Sequence, residues 1–156
     1  MAIKFVNGDI TLTNSTVIVH LTSNSLRQTN IHSEVLCKTY FNACKRFISL
    51  CKNNDIIAGE YYIDKLQTPW LMRCIVKSNG ESFKEEYLIK NLDFIVNNWK
   101  RLGFTSIAMT RIPEEFIYKT EWTKYKKLLI EKLDPLPIPV FIYEKHEQNV
   151  EAPEKN

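Results

Sequence analysis

The sequence predicts a three-layer α/β domain: a mixed, mostly parallel central sheet with helices on both faces. Two observations carry this expectation. Short runs at 16–21 (TVIVHL), 70–76 (WLMRCIV), 105–109 (TSIAM) and 140–143 (VFIY) lack regular polar alternation. That is the pattern of strands buried on both faces. Stretches of helical period lie between the runs, and helices alternating with buried strands imply parallel crossovers. A length of 156 residues, with 44% hydrophobic and 25% charged, suits one globular domain.

The elements follow in order. Residues 3–6 read as a short strand that ends in the turn signal Asn7-Gly8-Asp9. Residues 16–21 form the second strand, and the polar stretch 22–30 a loop. From 31 to about 52 the pattern is helical: Cys37, Phe41, Cys44, Ile48 and Cys51 recur at alternating spacings of four and three. Asn53-Asn54-Asp55 stops this helix. Residues 60–66 and 70–76 are two strands joined at Gln67-Thr68-Pro69, the first an edge strand or hairpin partner. The second helix spans 82–102, with Ser82 as candidate N-cap, Glu85 three residues on, and Gly103 closing it. A buried strand at 105–109, a third helix at 121–133 and a last strand at 140–143 complete the order β-β-α-β-β-α-β-α-β. The expected domain covers 1–145. Residues 146–156 are charged, lack apolar periodicity and are expected to be disordered.

Composition excludes several classes. No apolar run reaches the roughly 18 residues of a membrane helix, and the first residues read as a strand without a signal-peptide core. A cytoplasmic protein is expected. The net charge of +3, with Lys and Glu interspersed, does not mark a nucleic-acid binder. Cys37, Cys44 and Cys51 lie seven apart. On one straight helix that spacing is about 10 Å, beyond reach of a disulfide or a shared zinc. They are expected to be buried, unbridged and reduced. His20, His32 and His146 have no Cys or carboxylate at ligand spacing, so neither a metal nor a cofactor is expected.

One set of motifs points further. Val6-Asn7-Gly8-Asp9-Ile10 is followed by Val17-Ile18-Val19-His20, Ala58-Gly59-Glu60, the run ending at Lys77, and Leu102-Gly103-Phe104 leading to Arg111-Ile112. Glu121-Trp122 and Val140-Phe141-Ile142-Tyr143 come last. In this order the chain resembles macro domains, in particular the branch of terminal ADP-ribose glycohydrolases and of macro antitoxins to DNA ADP-ribosylating toxins. The resemblance spans about residues 3 to 145. It implies a macro-domain-like fold in which Asp9 hydrogen-bonds an adenine amine, Ile10 makes the neighbouring contact and Tyr143 lies near adenine. The site then continues at the end of the second strand, at His20 and Ser23. It also implies that Lys77, at a strand end, is a nucleophile attacking the anomeric carbon of the distal ribose. Without the resemblance, Asp9 reads as a turn cap, Tyr143 as a core tyrosine and Lys77 as a solvated charge.

The sequence departs from that branch at both loops that hold the phosphates and distal ribose. The first, a Gly-Ala-Gly-type turn in the family, is here Gln28-Thr29-Asn30-Ile31-His32-Ser33. It has no glycine to let backbone N–H groups approach a diphosphate. The second is Pro113-Glu114-Glu115-Phe116-Ile117-Tyr118-Lys119. Pro113 removes a backbone donor, two glutamates bring negative charge, and the family's acid/base aspartate has no counterpart. The chain has four glycines, so no other segment supplies a glycine-rich cradle. The expected function is therefore a non-catalytic macro-like module that binds ADP-ribose or an adenine nucleotide weakly, or a protein partner. Such a module could antagonise ADP-ribosylation or NAD-linked signalling. Two alternatives stay open: an ADP-ribosyl glycohydrolase using Lys77, and a nucleic-acid-binding module using Lys124, Lys126, Lys127 and Lys132.

Overall fold

The computed structural model describes residues 2–27 and 29–154; of the first rebuilt loop, Gln28 lies outside them. Six strands form one sheet: β1 Ile3–Gly8, β2 Val17–Ser23, β3 Tyr61–Asp64, β4 Trp70–Lys77, β5 Ile107–Thr110 and β6 Val140–His146. Their spatial order is β1-β6-β5-β2-β4-β3. Every neighbouring pair is parallel except β3 with β4, which is antiparallel. The four runs read as doubly buried are the four interior strands, and the 60–66 segment supplies the short edge strand.

The period-2 alternation of each interior strand feeds two cores. Val17, Val19, Met72, Cys74, Ile107, Met109, Val140 and Ile142 face one way, onto Leu88, Leu92 and Ile95 of helix α3 (Glu85–Leu102) and Tyr125, Leu129 and Leu133 of helix α4 (Trp122–Leu133). Ile18, Leu71, Ala108, Phe141 and Ile75 face the other way, onto helices α1 (Ile31–Thr39) and α2 (Phe41–Lys52). Apolar side chains are therefore needed on both faces, so the strands show no polar alternation.

Four expectations are corrected. The helix expected from 31 to 52 is two helices, because Tyr40 leaves helical geometry at φ −115°, ψ 62°. The bend brings the Cys37 and Cys44 Cα atoms to 5.1 Å and the two residues form a disulfide. The 10 Å spacing of a straight helix does not apply to this pair, and only Cys51 and Cys74 are free and buried. The bend also turns Phe41 outward, so the buried stripe is Leu36, Ala43, Cys44, Phe47 and Cys51. Helix α3 starts at Glu85 with Lys84 as its cap residue; Ser82 does not cap it. Acidic Glu85 and Glu86 in its first turn and Lys100 and Arg101 in its last suit the helix dipole. Gly103 closes it in the left-handed conformation, at φ 84°.

The fourth correction concerns the expected disordered end. β6 continues to His146, and residues 147–154 then pack back across the end of β1. Glu147 N–H donates to Gly8 O at 3.2 Å, and Asp9 N–H donates to Val150 O at 2.7 Å. Ala152 is buried. The segment is held by backbone groups, polar side chains and one buried methyl, which leave no apolar period to read.

Candidate ligand site

In a largely parallel sheet the strand ends point their carboxyl termini to one edge, where ligands of open α/β folds bind. Here that edge gathers Gly8-Asp9-Ile10 after β1, Leu21–Ser23 of β2, Lys77 of β4, Arg111 after β5 and Tyr143–His146 of β6. The N-terminus of α1 opens beside them, capped by the Asn30 side chain, which accepts from Ser33 N–H at 3.0 Å. In that first loop Thr29 and Ile31 are exposed, while His32 and Ser33 are buried.

Asp9 is buried. Its Oδ1 accepts from Thr11 N–H at 3.1 Å and Thr11 Oγ1 at 2.6 Å, and its Oδ2 accepts from Asn149 N–H at 3.0 Å. Burial pushes the carboxyl up, but the bonds from Thr11 and Asn149, with His146 nearby, outweigh it and hold the group below its ordinary value. Asp9 is therefore ionised, and it caps the 3-10 turn Ile10–Leu12. Ile10 and Tyr143 are fully buried. Tyr143 donates its hydroxyl to the Glu154 carboxylate; burial first, and Glu154 second, push its pKa up.

Below the edge, between the middles of β2 and β4, lies a buried polar relay. Arg73 Nη1 is 3.0 Å from His20 Nδ1, and His20 Nε2 is 2.8 Å from Ser33 Oγ. Arginine can only donate, so Nδ1 accepts and Nε2–H donates to Ser33. Burial, then Arg73 and His32, keep His20 neutral, well below its ordinary pKa. Arg73 itself is buried, its guanidinium 4.9 Å from the Phe47 ring centre, and its Nη2 has no hydrogen-bond partner among the described residues. Ser23 is buried at the end of β2, its Oγ accepting from Ser25 N–H at 3.3 Å.

Beside α1, His32 and His146 face each other edge to face at 6.3 Å. His32 Nε2 and His146 Nδ1 are buried and unpartnered among the described residues. Burial, then His146 and Arg111, lower the His32 pKa to about 4. Arg111 stacks on Trp122 at 4.2 Å and reaches Glu114 at 3.8 Å.

Lys77 stands apart. β1 and β4 are separated by β6, β5 and β2, so Lys77 lies roughly 19 Å across the sheet from Asp9 at about 4.8 Å per strand. Its Nζ is 3.4 Å from Ser78 O and 5.6 Å from the Phe116 ring centre. It lines a cavity of about 630 Å³ with Glu81, Glu114, Glu115, Phe116 and Tyr118. The second rebuilt loop forms one wall of that cavity. Pro113 is buried and Glu114 and Glu115 are exposed. The structure thus brings Asp9, Ile10 and Tyr143 together at one end of the edge and Lys77 with Glu114, Glu115 and Phe116 at the other.

Sequence reading missed Arg73, the His32–His146 pair and Glu154 as site-edge groups. An arginine inside the apolar run of β4 was the one visible signal. On α4, Lys124 pairs with Glu85 at 3.5 Å, Lys126 with Glu144 at 3.2 Å and Lys132 with Asp93 at 2.8 Å, so much of that lysine row is neutralised locally.

Neither a scan of family models nor a search of curated proteins finds a match to the sequence. Solved structures do resemble it. The macrodomain of Thermus aquaticus DarG superposes with a TM-score of 0.77 at 17% identity, covering 91% of this chain and 97% of that one. The macrodomain of Mycobacterium tuberculosis DarG gives 0.78 at 16%, covering 90% and 96%. Thermosipho africanus DarTG, solved in complex with ADP-ribose, gives 0.79 at 18%, covering 99% of this chain and 44% of that one. The chain has the macrodomain fold.

Proposed function

We propose that this chain is a non-catalytic macrodomain-type module that binds ADP-ribose or a related adenine nucleotide weakly along the carboxyl edge of its sheet. By holding that group it would antagonise ADP-ribosylation. The observation that carries the reading is the split edge. An ionised, buried Asp9 stands at the adenine end, the helix N-terminus with His32, His146 and Arg111 lies in the middle, and the Lys77 end is walled by Pro113, Glu114 and Glu115. The α1 N-terminus and the Arg111 guanidinium favour a diphosphate, which supports binding without a glycine turn; His32, with its pKa lowered to about 4, adds charge only in acid. The glutamates oppose it, which supports weak affinity. The Thermosipho relative with ADP-ribose bound agrees with this class of ligand.

Turnover needs the distal ribose held against Lys77 and an acid to release the leaving group. Positioning alone can lower a barrier by about 7 kcal/mol or more, and the loops that provide it in the family are rebuilt here. One observation favours the glycohydrolase reading as a second possibility: Glu114 and Glu115 share the cavity of Lys77. Two measurements separate the readings. Calorimetric titration with ADP-ribose should give saturable heat in the native chain; none at millimolar ligand would remove the binding reading. An overnight assay on ADP-ribosylated DNA and protein should give the same negligible release from native and Lys77→Ala chains. Release that vanishes with Lys77→Ala would establish the hydrolase.

A further inference from the structure

Both polar groups assigned to the adenine end, Asp9 and Tyr143, are already bonded by the chain itself, through residues 147–154. Asn149 adopts φ 61°, and its N–H donates to Asp9 Oδ2 at 3.0 Å. That is the donor an exocyclic amine would offer the same oxygen. Val150 O takes Asp9 N–H at 2.7 Å. Glu154 accepts the Tyr143 hydroxyl and also Thr13 Oγ1 at 2.5 Å and Asn14 N–H at 3.0 Å. Lys4 Nζ donates to Pro153 O at 2.9 Å. Ala152 sits so close to Gly8 that a Cβ on Gly8 would lie 2.8 Å from the Ala152 Cβ and 2.9 Å from its N. The residue before Asp9 is thus shaped to receive this segment.

From this geometry we infer that residues 147–154 form an intramolecular strap that occupies the adenine position and must lift before a nucleotide enters. The inference rests on the binding reading above and concerns the regulation of that same site. Beyond the Glu147 N–H bond to Gly8 O at the end of β1, the strap competes through amide and carboxylate contacts. Its release leaves β6 paired with β1 and β5 up to Tyr143. The strap lowers apparent affinity by the fraction of molecules in which it is open.

The test uses the full chain. Asn149→Pro removes the N–H that mimics the amine and cannot adopt φ 61°. Glu154→Ala releases Tyr143, Thr13 and Asn14. Each should bind ADP-ribose about tenfold or more tightly than the native chain by calorimetry, with unchanged far-UV circular dichroism. In the native chain, saturating ADP-ribose should speed hydrogen exchange at the Asn149 and Val150 amides, a readout that needs no variant to fold. Equal affinity in native and strap variants, or 147–154 amides as protected with ligand as without, overturns the strap and leaves the binding reading standing. No heat in any chain at millimolar ADP-ribose overturns both.

Discussion

Acidification should destabilise this protein through His32 before its carboxylates titrate. The His32 ring is buried, its Nε2 has no acceptor among the described residues, and it lies in the first turn of α1 beside His146 and Arg111. Each of these disfavours the imidazolium: burial by lost hydration, the two neighbours by like charge, and the helix N-terminus by its positive dipole. The pKa falls from 6.5 to about 4, a gap that corresponds to roughly 3 kcal/mol. The folded-state pKa lies below the unfolded one, so the unfolded chain takes up the proton first. The stability is whole above about pH 6.5 and drains away as pH falls to about 4. Asp9 and Asp64, whose pKa values lie below 3.8, lose their share only at lower pH. Urea unfolding across pH 7 to 4 in native and His32→Gln chains reads this directly. The native chain should lose roughly 3 kcal/mol more than the variant over that window. Parallel curves would refute the assignment. A bound anion would supply the missing countercharge, so ADP-ribose affinity should rise as pH falls over the same range, and His32→Gln should flatten that rise.

Two further outcomes follow from close contacts. Arg46 holds the buried Asp64 through Nε–Oδ2 at 2.7 Å and Nη2–Oδ1 at 3.1 Å, tying α2 to β3. Arg46→Ala leaves that carboxylate without its cation and should lower the urea midpoint; pairing it with Asp64→Asn should recover part of the loss, and an unchanged midpoint would show the pair to be solvent-screened. Gly8→Ala drives a methyl into the Ala152 backbone, so it should lift the strap, speed exchange at the Asn149 amide and tighten ADP-ribose binding; unchanged exchange would mean that the strap tolerates the methyl.

The sheet was legible because burial on both faces imposes a pattern no other arrangement imposes. The β2 run Val17, Ile18, Val19 feeds α3 and α4 with its odd members and α1 and α2 with its even one, so all three positions must be apolar. The helix break at Tyr40 left no such mark. No glycine or proline stands there, and the Cys37–Cys44–Cys51 period runs through it. At the break Leu36, Ala43 and Tyr40 share one cluster with Ile10 of the turn after β1, and the Cys37–Cys44 disulfide spans the bend. Local periodicity cannot report a bend whose cause lies elsewhere in the chain.

The site was legible only where a motif names a side chain. Asp9 could be singled out because a carboxylate after Gly8 has a restricted set of uses, and its structure satisfies two of them at once. It caps Thr11 and it presents Oδ2 to an N–H donor. Arg73, His32 and His146 carry no motif, because their roles arise from burial; His20 is named by the resemblance, but its role as a neutral relay exists only beneath α1, between Arg73 and Ser33. The lost glycines mislead in a related way. They argue against a backbone phosphate cradle, yet they say nothing about His32, His146 and Arg111, which gather where α1 begins and β5 and β6 end. A glycine turn binds phosphate through fixed N–H groups whatever the pH, whereas a histidine adds countercharge only once protonated. Under the binding proposal, replacing one by the other would exchange a constant affinity for one that depends on proton uptake, and the burial that lowers the His32 pKa to about 4 would place that uptake in the acid range.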